Sequence, residues 1–142
     1  MRKLLVPFDG SDNALRALHY AASIAREHPP IAIHVVTVHD KPEEYGYMEV
    51  YVPRDKLADL QRQTSQARLV AAEEVLEAAG VPYETEILIG QTAEAIARRA
   101  DELGCDSIVM GTRGMTAIGS LMMGSIATKV VHAAHVPVTL VK

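Results

Sequence analysis

The chain alternates regularly between short apolar, β-branched runs and longer stretches with helical periodicity. Five short runs are predicted strands, at residues 4–8, 31–38, 83–89, 107–110 and 136–141. The stretches between them are predicted helices, which makes the order βαβαβαβαβ. This order is a strong constraint, because parallel strands need a long crossover between them and such crossovers are right-handed. The sequence therefore predicts an α/β fold with helices on both faces of a parallel sheet.

Local signals mark where several predicted helices begin and end. Ser11 is the expected N-cap of the first helix, since its hydroxyl can accept a hydrogen bond from a first-turn N–H. Gly80 ends the helix predicted for residues 55–79. The expected inner face of that helix carries Leu60, Ala67, Ala71, Val75 and Ala78. The last helix is expected to begin at Ser125. Residues 41–53 show no clear period and are predicted to form a long connection.

Length and composition exclude several classes of protein. We expect residues 1–142 to form one domain. Lys and Arg number 14 against 18 Asp and Glu, so the net charge of −4 provides no basic field for nucleic acid. The N-terminal apolar run ends at Asp9, too early for a secretory signal, and no later run is long enough to span a membrane. Cys105 is the only cysteine, so we expect a cytoplasmic protein without a disulfide framework.

A glycine pattern, Gly111-x2-Gly114-x9-Gly124-Ser125, follows the fourth predicted strand. Because glycine lacks a Cβ, the chain at Gly111 and Gly114 can take positive φ and bring backbone N–H groups close to an anion. Gly124 and Ser125 open the last predicted helix, whose unpaired N–H groups and dipole would face the same anion. The pattern lacks the Gly-Lys-Ser/Thr of a P-loop. It predicts a phosphate site of a different kind.

Other candidate residues lie where predicted strands end. Ligands of open parallel sheets bind at the carboxyl ends of the strands, near the point where the strand order reverses. Asp9 follows the first predicted strand and Val38 ends the second, so we expect both to share a crevice with Gly111. Asp9 has an alternative role, in which its carboxylate accepts hydrogen bonds from nearby backbone or caps the helix at Ser11.

In these segments the chain resembles the universal stress protein family, whose ATP-binding members carry this glycine pattern after the fourth strand. The similar segments include residues 4–11, 36–40, 89–96, 105–111 and 136–141, and the resemblance covers the whole chain. It implies a Rossmann-like, adenine nucleotide alpha hydrolase-like fold, in which a five-stranded parallel sheet of order 3-2-1-4-5 is sandwiched by helices. It also implies a homodimer made through the strand at residues 136–141.

Carried over by position, the resemblance implies ATP contacts for ten residues. Asp9 would contact the adenine or the ribose. Apolar contacts to the base would come from Pro7, Val38 and Met110. The phosphates would be surrounded by Gly111, Arg113, Gly114, Gly124, Ser125 and Ile126. Because the chain is net negative, we expect local amides, the Arg113 guanidinium and a divalent cation such as Mg²⁺ to hold the phosphates. The alternative for Arg113 is a solvated loop charge.

The sequence offers no catalytic residue, since no general base or water-positioning side chain accompanies the glycine pattern. His132 and His135 have a spacing compatible with a helix, but no third ligand for a metal site is evident. The leading hypothesis is a regulatory protein in which ATP occupancy alters a surface that a protein partner recognises. The alternatives are a weak ATPase or phosphotransferase, and a stress-related interaction protein without nucleotide binding.

Overall fold

The computed structural model describes residues 1–39, 53–113 and 123–142, which form strands and helices in strict alternation. The strands are β1 (Lys3–Pro7), β2 (Ala32–His39), β3 (Tyr83–Ile89), β4 (Ser107–Gly111) and β5 (Val138–Val141). The helices are α1 (Asp12–Glu27), α2 (Arg54–Ala79), α3 (Thr92–Glu102) and α4 (Ser125–Ala133). All predicted elements are present, with small shifts at their ends. No helix in the described ranges combines the length and apolar character needed to cross a membrane.

The strands pair in parallel in the order β3-β2-β1-β4-β5, as predicted. β1 is central, and Leu5 on it lies opposite His34 of β2 and Ile108 of β4. The chain builds outward from β1 through β2 to β3, then returns to the other side of β1 for β4 and β5. The order therefore reverses between β1 and β4. A crevice at the carboxyl ends of these two strands is the expected ligand position in such a sheet.

Apolar side chains fill both faces of the sheet, as expected when helices cover both. On one face, α1 and α2 pack over β1 and β2, with Leu18 and Leu76 fully buried. On the other face, α3 and α4 pack over the opposite side of β1 and β4, where Ile96 and Val130 are buried. The carboxyl ends of the strands thus emerge between two layers of helices.

The predicted inner face of α2 is wrong. Leu60, Ala67, Ala71 and Ala78 are exposed, and Val75 is only partly buried. The buried face instead carries Leu57, Ser65, Leu69, Ala72 and Leu76. The residues of both faces are spaced as on a helix, and alanines occur on both sides. The sequence therefore gives little indication of which face is buried. The observed choice buries leucines of α2 in place of alanines, which removes more apolar surface from water.

Side chains at the ends of elements anchor the fold. Ser11 is the N-cap of α1, as predicted, and its Oγ accepts a hydrogen bond from the Ala14 N–H at 3.1 Å. Asp106, just before β4, accepts hydrogen bonds through Oδ2 from the backbone N–H groups of Arg2 at 2.6 Å and Lys3 at 2.8 Å. These two bonds lower the pKa of Asp106. They tie the start of β1 to the start of β4.

Candidate functional site

A cavity of about 480 Å³ opens where β1, β2 and β4 end. Its volume and mainly apolar lining are typical of small-molecule sites. The residues assigned from the sequence that line it are Pro7, Asp9, Val38, Met110, Gly111, Arg113, Gly124, Ser125 and Ile126. The tenth assigned residue, Gly114, lies outside the described residues. The fold therefore brings together segments from both ends and the middle of the chain.

The apolar part of the cavity comes from the ends of three neighbouring strands. Pro7 is the last residue of β1, Val38 lies near the end of β2, and Met110 lies near the end of β4. The cavity has further apolar lining residues beyond the ten assigned from the resemblance: Phe8, Ala14, Val36, Ile96, Met123 and Ala127. Several of these side chains also belong to the buried core. Apolar periodicity identifies such residues as core, but it does not show which of them border a cavity.

Asp9 combines a local role with a position in the cavity. Its Oδ1 accepts a hydrogen bond from the Ser11 backbone N–H at 2.9 Å, so the alternative role considered for this carboxylate is present. The same residue lines the cavity. A carboxylate has about four acceptor positions, and the bond from Ser11 uses one of them. Asp9 is therefore oriented by the backbone and retains the capacity to accept hydrogen bonds from a ligand.

The N-terminus of α4 borders the cavity. Gly124 is the N-cap and, as a glycine, has no side chain with which to make a capping hydrogen bond. The Gly124 carbonyl accepts from the Thr128 N–H at 3.0 Å, which is the first bond of the helix ladder. The N–H groups of Ser125 and Ile126 precede that bond and have no partner within the helix. Since both residues line the cavity, the positive end of the α4 dipole lies at its edge.

Gly111 does not adopt the positive φ that a glycine permits. The positive-φ glycines in the described residues are Gly10, Gly80, Gly90 and Gly104. Gly111 is the last residue of β4, and a Cβ built on it would lie 2.8 Å from the Cβ of Asn13 and 2.9 Å from the Asn13 carbonyl carbon. Its lack of a side chain allows β4 to approach the first turn of α1. Gly111 still lines the cavity, but close packing explains its identity.

Two arginines bring positive charge to the cavity. Arg113, one of the residues predicted from the sequence, follows β4 and lines the cavity. Arg68 on α2 lines the cavity as well, and so does Thr92 at the start of α3; neither residue was predicted from the sequence. Arg68 lies one helical position from Leu69 on the buried face of α2. If Leu69 had been recognised as a buried residue of α2, the neighbouring Arg68 could have been predicted to lie near the sheet.

A network of charged and polar side chains lies outside the cavity and links β2, β3 and α3. The buried His34 has its Nε2 2.8 Å from Glu86 Oε2, and Arg99 Nε donates to the same oxygen at 2.8 Å. Partial burial by itself raises the pKa of Glu86, but the hydrogen bonds from Arg99 and His34 outweigh it and lower that pKa. None of these three residues lines the cavity. The network therefore serves the packing of α3 on the sheet.

The histidines near the end of α4 show no metal site. Among the residues that the structure describes, no group of three or more His, Cys, Asp or Glu side chains is arranged to hold a metal ion. His135 instead pairs with Asp101 of α3, with 2.8 Å between Nδ1 and Oδ2. This contact joins the chain after α4 to α3.

Comparison with known proteins gives consistent matches along the whole chain. The family model described as the universal stress protein family matches residues 1–142. A universal stress protein of Thermus aquaticus is 38% identical over 142 residues, covering 99% of this chain and 98% of that protein. The universal stress protein MJ0531 of Methanocaldococcus jannaschii is 34% identical over 146 residues, covering 99% of this chain and 82% of the relative.

Solved structures also match nearly the whole chain. The structure of hypothetical protein MJ0577 of Methanocaldococcus jannaschii matches with a TM-score of 0.85 and 25% identity, covering 99% of this chain and 95% of that one. A universal stress protein in complex with cAMP matches with a TM-score of 0.75 and 26% identity, covering 99% and 97%. The universal stress protein of Archaeoglobus fulgidus in complex with dAMP matches with a TM-score of 0.71 and 26% identity, covering 100% and 98%. With its five-stranded parallel sheet and its match along the full length, this chain belongs to the universal stress protein family.

Proposed function

We propose that this protein binds ATP, together with Mg²⁺, at the carboxyl ends of its strands and acts as a nucleotide-dependent regulatory protein. The observation that carries the proposal is the composition of one cavity, which combines apolar strand ends, the Asp9 carboxylate and the N-terminus of α4. An adenine nucleotide has matching parts, namely a flat base, a ribose and an anionic phosphate chain. Related structures in complex with cAMP and dAMP support an adenine ligand.

In this proposal each part of the cavity holds one part of the nucleotide. Pro7, Val38 and Met110 contact the base, and Asp9 accepts hydrogen bonds from the nucleoside. The N–H groups at the start of α4 bind phosphate oxygens. The remaining phosphate contacts come from Gly111, Arg113, Gly114, Gly124, Ser125 and Ile126. Mg²⁺ binds mainly through phosphate oxygens and water, which is its usual preference.

Hydrogen bonds connect the proposed phosphate subsite to the edge of the sheet. The Gly124 N–H donates to the Thr112 carbonyl at 2.6 Å, and the Thr112 N–H donates to the Val141 carbonyl at 3.0 Å. Val141 is the last residue of β5, which forms one edge of the sheet. A ligand that changes the position of Gly124 therefore acts on a segment bonded directly to that edge. This connection supports a signalling role through a surface that includes β5.

We also propose that the protein forms a homodimer through residues 136–141. β5 is an edge strand whose residues are only partly buried, and apolar edge strands are usually covered by a partner or blocked by charge. We expect a dimer in sedimentation velocity experiments at micromolar concentration, with and without ATP. A monomer under both conditions would contradict the proposed dimer while leaving ATP binding intact.

Equilibrium dialysis with labelled ATP, in the presence of Mg²⁺, tests the proposed ligand. We expect saturable binding of ATP and AMP, and binding of GTP that is weaker by about tenfold or more, because the apolar base site is proposed to select adenine. Failure of ATP to bind would refute the proposal.

A single-turnover assay then follows the fate of bound ATP, which we expect to remain uncleaved. Sustained turnover that Asp9→Ala abolishes would instead identify a weak ATPase.

A further inference from the structure

Arg68 of α2 reaches the cavity from the side opposite α4. Its Cγ lies 3.5 Å from the position of a Cβ built on Gly10, so its aliphatic stem passes over the backbone next to Asp9. α2 packs against β2, β3 and α1, whereas α4 packs with α3 on the other face of the sheet. Arg68 therefore approaches the part of the cavity near Asp9, away from the N–H groups of α4 that are proposed to hold phosphates.

The Arg68 guanidinium makes no hydrogen bond or ion pair with any residue in the described ranges. Some other arginines there are paired: Arg62, on the same helix, lies 3.6 Å from Asp59, and Arg99 bonds two carboxylates. Asp9 lines the same cavity as Arg68, and the two charges do not form an ion pair. A guanidinium has five N–H donors and no acceptor, so these donors remain available to a ligand.

We propose that Arg68 binds the ribose of the nucleotide, donating hydrogen bonds to the hydroxyl oxygens while Asp9 accepts hydrogen bonds from the hydroxyl groups. This inference rests on the proposed function. A vicinal diol both donates and accepts, whereas a carboxylate only accepts and a guanidinium only donates. Two such groups in one cavity, unpaired with each other, are complementary to a diol. The preferred ligands are therefore ribonucleosides and their phosphates, and the contribution of Arg68 is independent of phosphate number.

The variant Arg68→Met tests the contact because it keeps an unbranched stem over Gly10 and removes the donors. Calorimetry with ATP, adenosine and 2′,3′-dideoxy-ATP separates the ribose from the phosphates. We expect the dissociation constants of ATP and adenosine to rise about tenfold, the typical loss for a hydrogen bond to a charged group. For 2′,3′-dideoxy-ATP, which lacks the hydroxyls, we expect the same substitution to change affinity by less than about twofold.

Arg62→Met is the matched control, since Arg62 is an exposed arginine of α2 outside the cavity, and it should bind ATP as the wild type does. The unfolding midpoint of Arg68→Met should lie within about 2 °C of the wild type. Unchanged affinity of Arg68→Met for ATP would overturn the inference, with the proposed function intact. A loss for ATP and not for adenosine would overturn it too, because Arg68 would then bind phosphate. If the wild type binds neither ligand, the proposed function fails, and the ribose contact fails with it.

Discussion

Replacing Gly111 with alanine is expected to destabilise the protein by about 1–3 kcal/mol, the usual cost of overpacking a well-packed interior. The new Cβ would lie 2.8 Å from the Asn13 Cβ, 2.9 Å from its carbonyl carbon and 3.0 Å from its carbonyl oxygen. Two of these three atoms are backbone atoms of α1, so a change of side-chain rotamer cannot relieve the contact. The first turn of α1 has to move away from β4. Urea unfolding followed by circular dichroism measures the loss.

A double-mutant cycle with Asn13→Gly separates the two parts of this clash. Removing the Asn13 Cβ relieves the shortest contact but leaves the carbonyl carbon and oxygen where they are. We therefore expect Gly111→Ala to lower the free energy of unfolding less in the Asn13→Gly background than in the wild type. Part of the loss should remain, so the recovery is incomplete. Complete recovery would show that the clash is confined to the Cβ atoms. An unchanged free energy of unfolding in the single variant Gly111→Ala would contradict the prediction. It would show that the first turn of α1 can shift away from β4 without loss of stability.

Replacing Gly124 with valine is expected to weaken ATP binding by at least about tenfold. Gly124 has φ −61° and ψ 155°, an extended conformation that other residues adopt without strain. Its backbone lines the cavity, so a branched side chain there crowds the position where phosphates would approach the N–H groups of α4. The free energy of unfolding should fall by no more than about 1 kcal/mol, the typical difference between a glycine and an aliphatic N-cap.

Gln91→Val is a matched control for this experiment. Gln91 is the N-cap of α3, also has an extended backbone and makes no side-chain capping hydrogen bond. It is absent from the lining of the cavity. We expect its stability to change as little as that of Gly124→Val and its ATP affinity to match the wild type. ATP affinity that remains normal in Gly124→Val would refute the proposed phosphate position at α4.

The two glycines therefore differ in the property that each substitution should disturb. Gly111→Ala should mainly lower stability, because it disturbs the packing of β4 against α1. Gly124→Val should mainly weaken ATP binding. Both residues belong to the same sequence pattern, which by itself predicts one role for both. Measuring unfolding and binding in each variant separates these roles.

Much of the architecture was predictable from the sequence, for a physical reason. Alternating strands and helices admit few connections, because parallel neighbours need right-handed helical crossovers. The carboxyl ends of the strands then meet along one edge, which is why Pro7, Asp9, Val38 and Met110 line one cavity although they are far apart in sequence. Local chemistry also predicted Ser11 as the N-cap of α1. The strand order was implied by the family resemblance, and the structure confirms it.

By itself, the sequence determined the strand and helix pattern, the carboxyl-edge position of the candidate site and the glycine pattern that borders it. Tertiary structure alone decided which face of α2 is buried, why Gly111 lacks a side chain and where Arg68 lies. Each of these depends on contacts between segments distant in sequence: α2 with the sheet, Gly111 with Asn13, and Arg68 with Gly10. Periodicity describes how side chains are arranged around one element. Only packing between elements determines which of those side chains meet.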